Sequence, residues 1–237
     1  IIGPVDRRGF LVGAAALGVA ATLPRLGRAA TPSKGGHFRI GVADYATQDD
    51  LDPANIDTRF QTYLQFQLRN GLVEIGPGVG SNLPYFHPDV RWIGIEPNPY
   101  MHGYLRDRAA RLGMAVELRG QRAEVIDLPD GSADAVVSTL VLCSVAEPTA
   151  ALSEALRILR PGGRFVFVEH VAAPGGSATR RVQDVVQPLW TPVGDGCHPN
   201  RETWRIIEQA GFSTVDLRHF SIDAPIVGSH IMGVAVK

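Results

Sequence analysis

Excess charge is the first thing this sequence lacks. Its 237 residues carry 23 Lys and Arg against 24 Asp and Glu, a formal net charge of −1, with no Lys/Arg-rich run. That balance removes the electrostatic case for a nucleic-acid partner. Cysteine is scarce as well, with only Cys143 and Cys197. The two form no C-x-x-C, and no His/Cys group shows zinc spacing, so neither a disulfide framework nor a metal site is expected. Two reduced thiols in a reducing compartment are the expectation instead. No internal repeat or low-complexity tract occurs, which excludes a solenoid. Long apolar runs are also missing, and the uncharged stretch from Gly9 to Leu23 is short for a transmembrane span. Chain length and 45% hydrophobic content suit one domain of ordinary size plus an extension.

What is present centres on residues 71–83, GLVEIGPGVGSNL. A short apolar run there leads into three glycines spaced by single residues. Glycine lets the backbone come close to a ligand because it has no Cβ and tolerates positive φ. Dinucleotide sites use G-x-G-x-x-G, with the last glycine serving helix–strand packing. Here Gly76, Gly78 and Gly80 make G-x-G-x-G, and the third dinucleotide position falls on Ser81. Glu74 stands two residues before the first glycine, where a carboxylate repels a pyrophosphate. A ligand carrying an amine and no phosphate fits better, and S-adenosylmethionine is such a ligand. Glu96 follows about twenty residues after the first glycine, at the end of the next apolar run, where a carboxylate reaches ribose hydroxyls.

From Gly71 onward apolar runs alternate with amphipathic stretches, which argues for parallel βαβ units. Strands are expected at Leu72 to Ile75, Arg91 to Ile95, Ala115 to Leu118, Ala133 to Ser138 and Arg164 to Glu169. A helix is expected between Pro99 and Gly113, with Met101, Tyr104, Leu105 and Leu112 toward the sheet. Leu152, Ala155, Leu156 and Leu159 form a second stripe, stopped by Pro161-Gly162-Gly163. A third helix, capped by Asn200, carries Trp204, Ile207 and Ala210. Thr214 to Phe220 and His230 to Val236 are expected as an edge hairpin. Ligands of such sheets bind outside the carboxyl ends of the strands, at the switch point. His170, ending the fifth strand there, is a candidate base. Asp195 and His198, in DGCHPNRETW, are candidates to face the substrate. Cys143 reads as a small core residue.

The front of the chain reads differently. Arg7 and Arg8 precede the uncharged run, and R-R-G-F-L resembles a twin-arginine export signal over residues 1–30. KGGHFRIGVADYATQDDLDPANIDT, within residues 31–70, resembles the beginning of an ABC-transporter peptide-binding protein, followed by an expected helix from Thr58 to Asn70. The first residue is Ile1, so the true start is expected upstream. The α/β part is assigned to residues 71–237.

EIGPGVGSN, IGIEPNPYM, DGSADAVVSTLVLCSV, LRILRPGGRFVFVEHVA and DGCHPNRETW together resemble class I S-adenosylmethionine-dependent methyltransferases, and more narrowly the methyltransferase-like seven group of thiol methyltransferases. The resemblance runs from about Leu72 to Lys237. It implies an α/β, Rossmann-like doubly wound, mostly parallel sheet of seven strands with a reversed final strand. It also implies methyl transfer from S-adenosyl-L-methionine to a small-molecule acceptor, expected to be a thiol. Carried over residue by residue, Glu74, Gly76, Gly78, Gly80, Glu96 and Asn98 hold the cofactor. Ala123 and Glu124 lie beside the adenine, and Leu140, in TLVLCSV, floors the pocket near the methyl group. Family members carry their own helical segment before the first strand, where this chain has the transporter-like stretch. Two rivals stand beside the thiol reading: an O- or C-methyltransferase of quinone or sterol type, and a truncated exported peptide-binding module. Because S-adenosylmethionine is cytoplasmic, a cytoplasmic or membrane-associated protein is expected, the membrane contact running through the N-terminal segment; a used export signal makes it periplasmic. Oligomeric state is left open.

Overall fold

The computed structural model describes residues 71–237, so the signal-like segment, the transporter-like stretch and the helix at Thr58 to Asn70 lie outside the described residues. Seven strands form one sheet: β1 (Leu72–Ile75), β2 (Trp92–Ile95), β3 (Val116–Arg119), β4 (Ala133–Thr139), β5 (Leu159–His170), β6 (Thr214–Ser221) and β7 (Ser229–Val236). Their order is β3-β2-β1-β4-β5-β7-β6. The first five pair in parallel, and β7 runs antiparallel to both β5 and β6. The doubly wound seven-stranded sheet with one reversed strand is therefore as the sequence led us to expect.

Among the described residues four α-helices accompany it: α1 (Pro99–Arg111), α2 (Pro148–Ile158), α3 (Ala178–Val193) and α4 (Thr203–Glu208). Among the described residues no helix is long and apolar enough to cross a membrane. Apolar side chains bury on both faces, as a doubly covered parallel sheet requires. On one face Leu152 and Ile158 of α2 and Ile207 of α4 pack with Val73, Ile75, Val136 and Phe165. On the other, Leu105 and Ala109 of α1 pack with Leu72, Trp92, Ala135 and Val137. The alternation along β1 sends Leu72 and Glu74 to the α1 face and Val73 and Ile75 to the α2 face.

Several boundaries differ from the sequence expectation. Strand β5 begins at Leu159, five residues early, because Leu159 pairs with Ala133 ahead of the Pro-Gly-Gly turn. Helix α4 starts at Thr203 behind Glu202 rather than at an Asn200 cap, since the Asn200 amide instead donates to Asp184 Oδ1 at 2.9 Å. Tyr104 is 63% exposed and does not face the sheet; Leu105 and Ala109 do. Helix α3 was not expected at all. It is capped by Ser177 Oγ, which accepts from Arg180 N, and it carries Pro188 and Pro192 inside. Buried Gln183 fixes it, accepting from Ala173 N and donating to the Ile226 carbonyl, both at 2.7 Å.

Candidate active site

The crossover point of the sheet lies between β1 and β4, and the glycine loop leaves β1 there. Gly76, Gly78 and Gly80 all have positive φ (62°, 55° and 77°), which explains why three glycines are needed. Their surroundings differ. A Cβ on Gly76 meets Val141 Cγ2 at 2.5 Å, and one on Gly80 meets Leu83 Cδ1 at 2.8 Å. A Cβ on Gly78 meets nothing within 4 Å. The outer glycines thus answer to protein packing, whereas Gly78 turns bare backbone toward open space.

Glu96 closes β2 beside that loop. Its Oε2 accepts from Gly78 N and its Oε1 from Asn98 N, each at 2.9 Å. Asn98 in turn caps α1, its Oδ1 accepting from Tyr100 N. One carboxylate therefore ties the glycine loop to the helix N-terminus and retains lone pairs for a ligand hydroxyl. Glu74 does something else. It is 1% exposed, with Oε1 accepting from Asn82 Nδ2 at 2.8 Å and Oε2 from Trp92 Nε1 at 3.0 Å. Burial pushes its carboxyl up to about 7 against those two donors. The side chain supports the loop from beneath, so the sequence expectation that it touches the ligand finds both its oxygens already engaged by protein.

After β3, Ala123 is buried, and Glu124 Oε1 accepts from Ala146 N at 3.2 Å while pairing with Arg122. The Glu124 carboxylate therefore braces the loop after β4. Leu140, directly after β4, is half-exposed at φ 58°, a conformation that costs an ordinary residue roughly 1–3 kcal/mol and clusters at functional sites. Behind it Glu169, wholly buried, accepts from Ser138 Oγ at 2.6 Å, Val141 N at 2.9 Å and Leu142 N at 3.0 Å. Burial still pushes this carboxyl up to about 8.

Of the three groups expected to be catalytic, only His170 is gathered into a side-chain cluster. Its Nδ1 lies 3.7 Å from Cys197 Sγ, and one ligand atom each from Cys143, His170 and Cys197 lies within 4.8 Å of the others. No His/Cys group shows zinc spacing along the sequence, yet the fold gathers one from three distant segments. Cys143, and after it His170, hold the Cys197 thiol down to about 4, while the Cys143 thiol is pushed well up. Asp195 sits in an exposed turn at φ 54°. The His198 ring turns to Arg201, with Nδ1 3.1 Å from its guanidinium, while its backbone N–H donates to the Cys143 carbonyl at 2.8 Å. Neither joins the cluster. The residue missed in DGC was Cys197, and its signal was the preceding Gly196. At φ 80°, a Cβ there meets Ser144 O at 2.9 Å, so only glycine lets the two loops touch.

A seven-stranded sheet of this order, with a glycine turn after β1 and an acid ending β2, defines the class I methyltransferase fold. A protein-family profile described as "Methyltransferase domain" matches residues 73–167. The chain is 41% identical over 175 residues to thiol S-methyltransferase TMT1B of Homo sapiens, covering 70% of each chain. It is 40% identical to thiol S-methyltransferase TMT1A of Homo sapiens over the same share of both. Among solved structures, the [4+2]-cyclase SpnF superposes with a TM-score of 0.60 at 18% identity, over 75% of this chain and 78% of that one, which shows the fold alone. The chain belongs to the S-adenosylmethionine-dependent methyltransferase family and is an S-adenosylmethionine-dependent methyltransferase. The residues fit that cofactor: Gly78 leaves the room a Cβ would fill, and the Glu96 carboxylate stands beside it.

Proposed function

We propose that this enzyme methylates the sulfur of a small-molecule thiol. The observation that carries the reading is the 41% identity to thiol S-methyltransferase TMT1B over 70% of both chains. The soft character of the side chains gathered at the carboxyl ends of β4 and β5 supports it.

S-adenosylmethionine supplies an electrophilic methyl group on sulfur. In the proposal Gly76, Gly78 and Gly80 shape the loop that receives it, and Gly78 offers the close backbone approach. Glu96 holds the ribose hydroxyls, with Asn98 fixing the helix end beside it. Backbone at Ala123 and Glu124 reads the adenine, and Leu140 floors the pocket. Glu74 acts through Asn82 and is a positioning residue. The chain's remaining task is to align the acceptor in line with the methyl group and exclude water. A thiol needs little further help, since a few per cent is thiolate near neutral pH. That accords with two buried carboxylates, Glu74 and Glu169, that are engaged by protein donors.

Initial rates on a short alkyl thiol, a catechol and a quinol of similar size test the reading. The thiol is expected to give the highest kcat/KM. Turnover of catechol or quinol with none of the thiol moves the enzyme to O- or C-methylation.

A further inference from the structure

The three-residue cluster has features that methyl transfer alone does not require. Cys143 follows β4, His170 ends β5 and Cys197 lies between α3 and α4. The loops carrying them are braced together. Arg201 donates to the Leu142 and Val145 carbonyls at 2.6 and 2.7 Å, and His198 N donates to Cys143 O. Gly196 permits the backbone contact with Ser144. His170 is 4% exposed, yet Nε2 has no hydrogen-bond partner and Nδ1 faces only the Cys197 sulfur. An imidazole this deeply buried is ordinarily held by an oxygen acceptor or donor. Among the described residues neither ring nitrogen meets a protein oxygen, so the nitrogen beside the Cys197 sulfur is free to bind an ion.

We propose that Cys143, His170 and Cys197 form a binding site for a borderline-soft divalent metal ion of the zinc type. Two thiolates and an imidazole are the donors that select such an ion over magnesium or calcium. In a tetrahedral site with metal–sulfur near 2.3 Å and metal–nitrogen near 2.0–2.1 Å, sulfur and nitrogen ligands stand ~3.5 Å apart. The Cys197 Sγ to His170 Nδ1 separation of 3.7 Å matches that, and the 4.8 Å limit for the full set requires a contraction of about 1 Å. Three protein ligands leave the fourth position open, as catalytic zinc sites do. Resting on the thiol-acceptor reading, that position takes the acceptor: its S–H bond breaks, a metal–sulfur bond forms and the proton leaves to solvent. His170 is then a metal ligand and not the general base that its place in the sequence suggested.

Cobalt substitution of the full chain tests this. The purified protein is stripped with a chelator, kept reduced with a phosphine and titrated with Co²⁺. One equivalent is expected to produce a sulfur-to-cobalt charge-transfer band with intense tetrahedral visible bands, both abolished by competing Zn²⁺. Cys197→Ser and His170→Gln, each verified by an unchanged melting curve, are expected to weaken cobalt binding at least about 100-fold. Adding a short alkyl thiol is expected to shift the bands. Absence of the charge-transfer band while both thiols titrate as free overturns the site. Bands that ignore the thiol overturn the assignment of the fourth position. Bands that form and shift in an enzyme that methylates no thiol uphold the metal site and place the failure with the acceptor reading.

Discussion

Glu96 commits one carboxylate oxygen to Gly78 N and the other to Asn98 N, so its removal touches both the ligand and the loop that receives it. Hydrogen bonds to a charged acceptor contribute roughly 1.5–3 kcal/mol each. At ~1.4 kcal/mol per decade, Glu96→Ala is expected to weaken S-adenosylmethionine binding by about ten- to a hundredfold in calorimetry, with the chain still folded. Unchanged affinity means that the ribose is held elsewhere. Glu74 carries a different consequence. Its carboxyl rises from the ordinary 4.5 to about 7 in the folded state because burial outweighs the Asn82 and Trp92 bonds. The folded chain therefore keeps this proton after the unfolded chain has lost it. Stability is full below the unfolded value and falls as pH rises from about 4.5 to about 7, by up to ~1.4 kcal/mol per unit from this group. Glu74→Gln cannot ionise, so its melting temperature is expected to fall less steeply than that of the parent chain over this range. Parallel curves for the two proteins sink the attribution.

At the scale of elements, the glycine loop separates binding from folding. Gly76→Ala forces a methyl group against Val141, an overpacking cost of about 1–3 kcal/mol added to about 1–2 kcal/mol for a left-handed alanine. Gly78→Ala meets no protein atom and incurs only the second cost. Thermal melts are expected to show the larger loss at Gly76, and ligand titration is expected to show a loss of S-adenosylmethionine affinity at Gly78 out of proportion to its melt. Equal affinity in Gly78→Ala and parent places the cofactor away from this turn. The loop and β1 were legible in the sequence because glycine spacing and an apolar run are local signals, and β1 occupies the expected Leu72–Ile75. Helix α3 was not legible. Pro188 and Pro192 lie inside it, where proline disfavours a helix, and its anchor, Gln183, bonds to residues 10 and 43 positions away. The early start of β5 was hidden for the same reason, since Leu159 is a strand residue only by pairing with Ala133.

The whole molecule shows where sequence reading stops. The glycine turn after β1, the acid after β2 and a seven-stranded sheet with one reversed strand follow from one family pattern and were anticipated. The Cys143–His170–Cys197 cluster was not, because no spacing rule links three residues brought together only when β4, β5 and the loop before α4 meet at one sheet end. His170 was singled out for its strand-end position; Asp195 and His198 were singled out with it, and the fold turns one to an exposed turn and the other to Arg201. The proposed activity turns on the identity of the acceptor atom. Its most direct test supplies S-adenosylmethionine with a deuterated methyl group to the full chain, in one mixture of an alkyl thiol, a catechol and a quinol, and locates the label by mass spectrometry. The label is expected on sulfur, as the methyl thioether, with the oxygen and ring positions unlabelled. Label on catechol oxygen or quinol carbon, with no thioether formed, contradicts it.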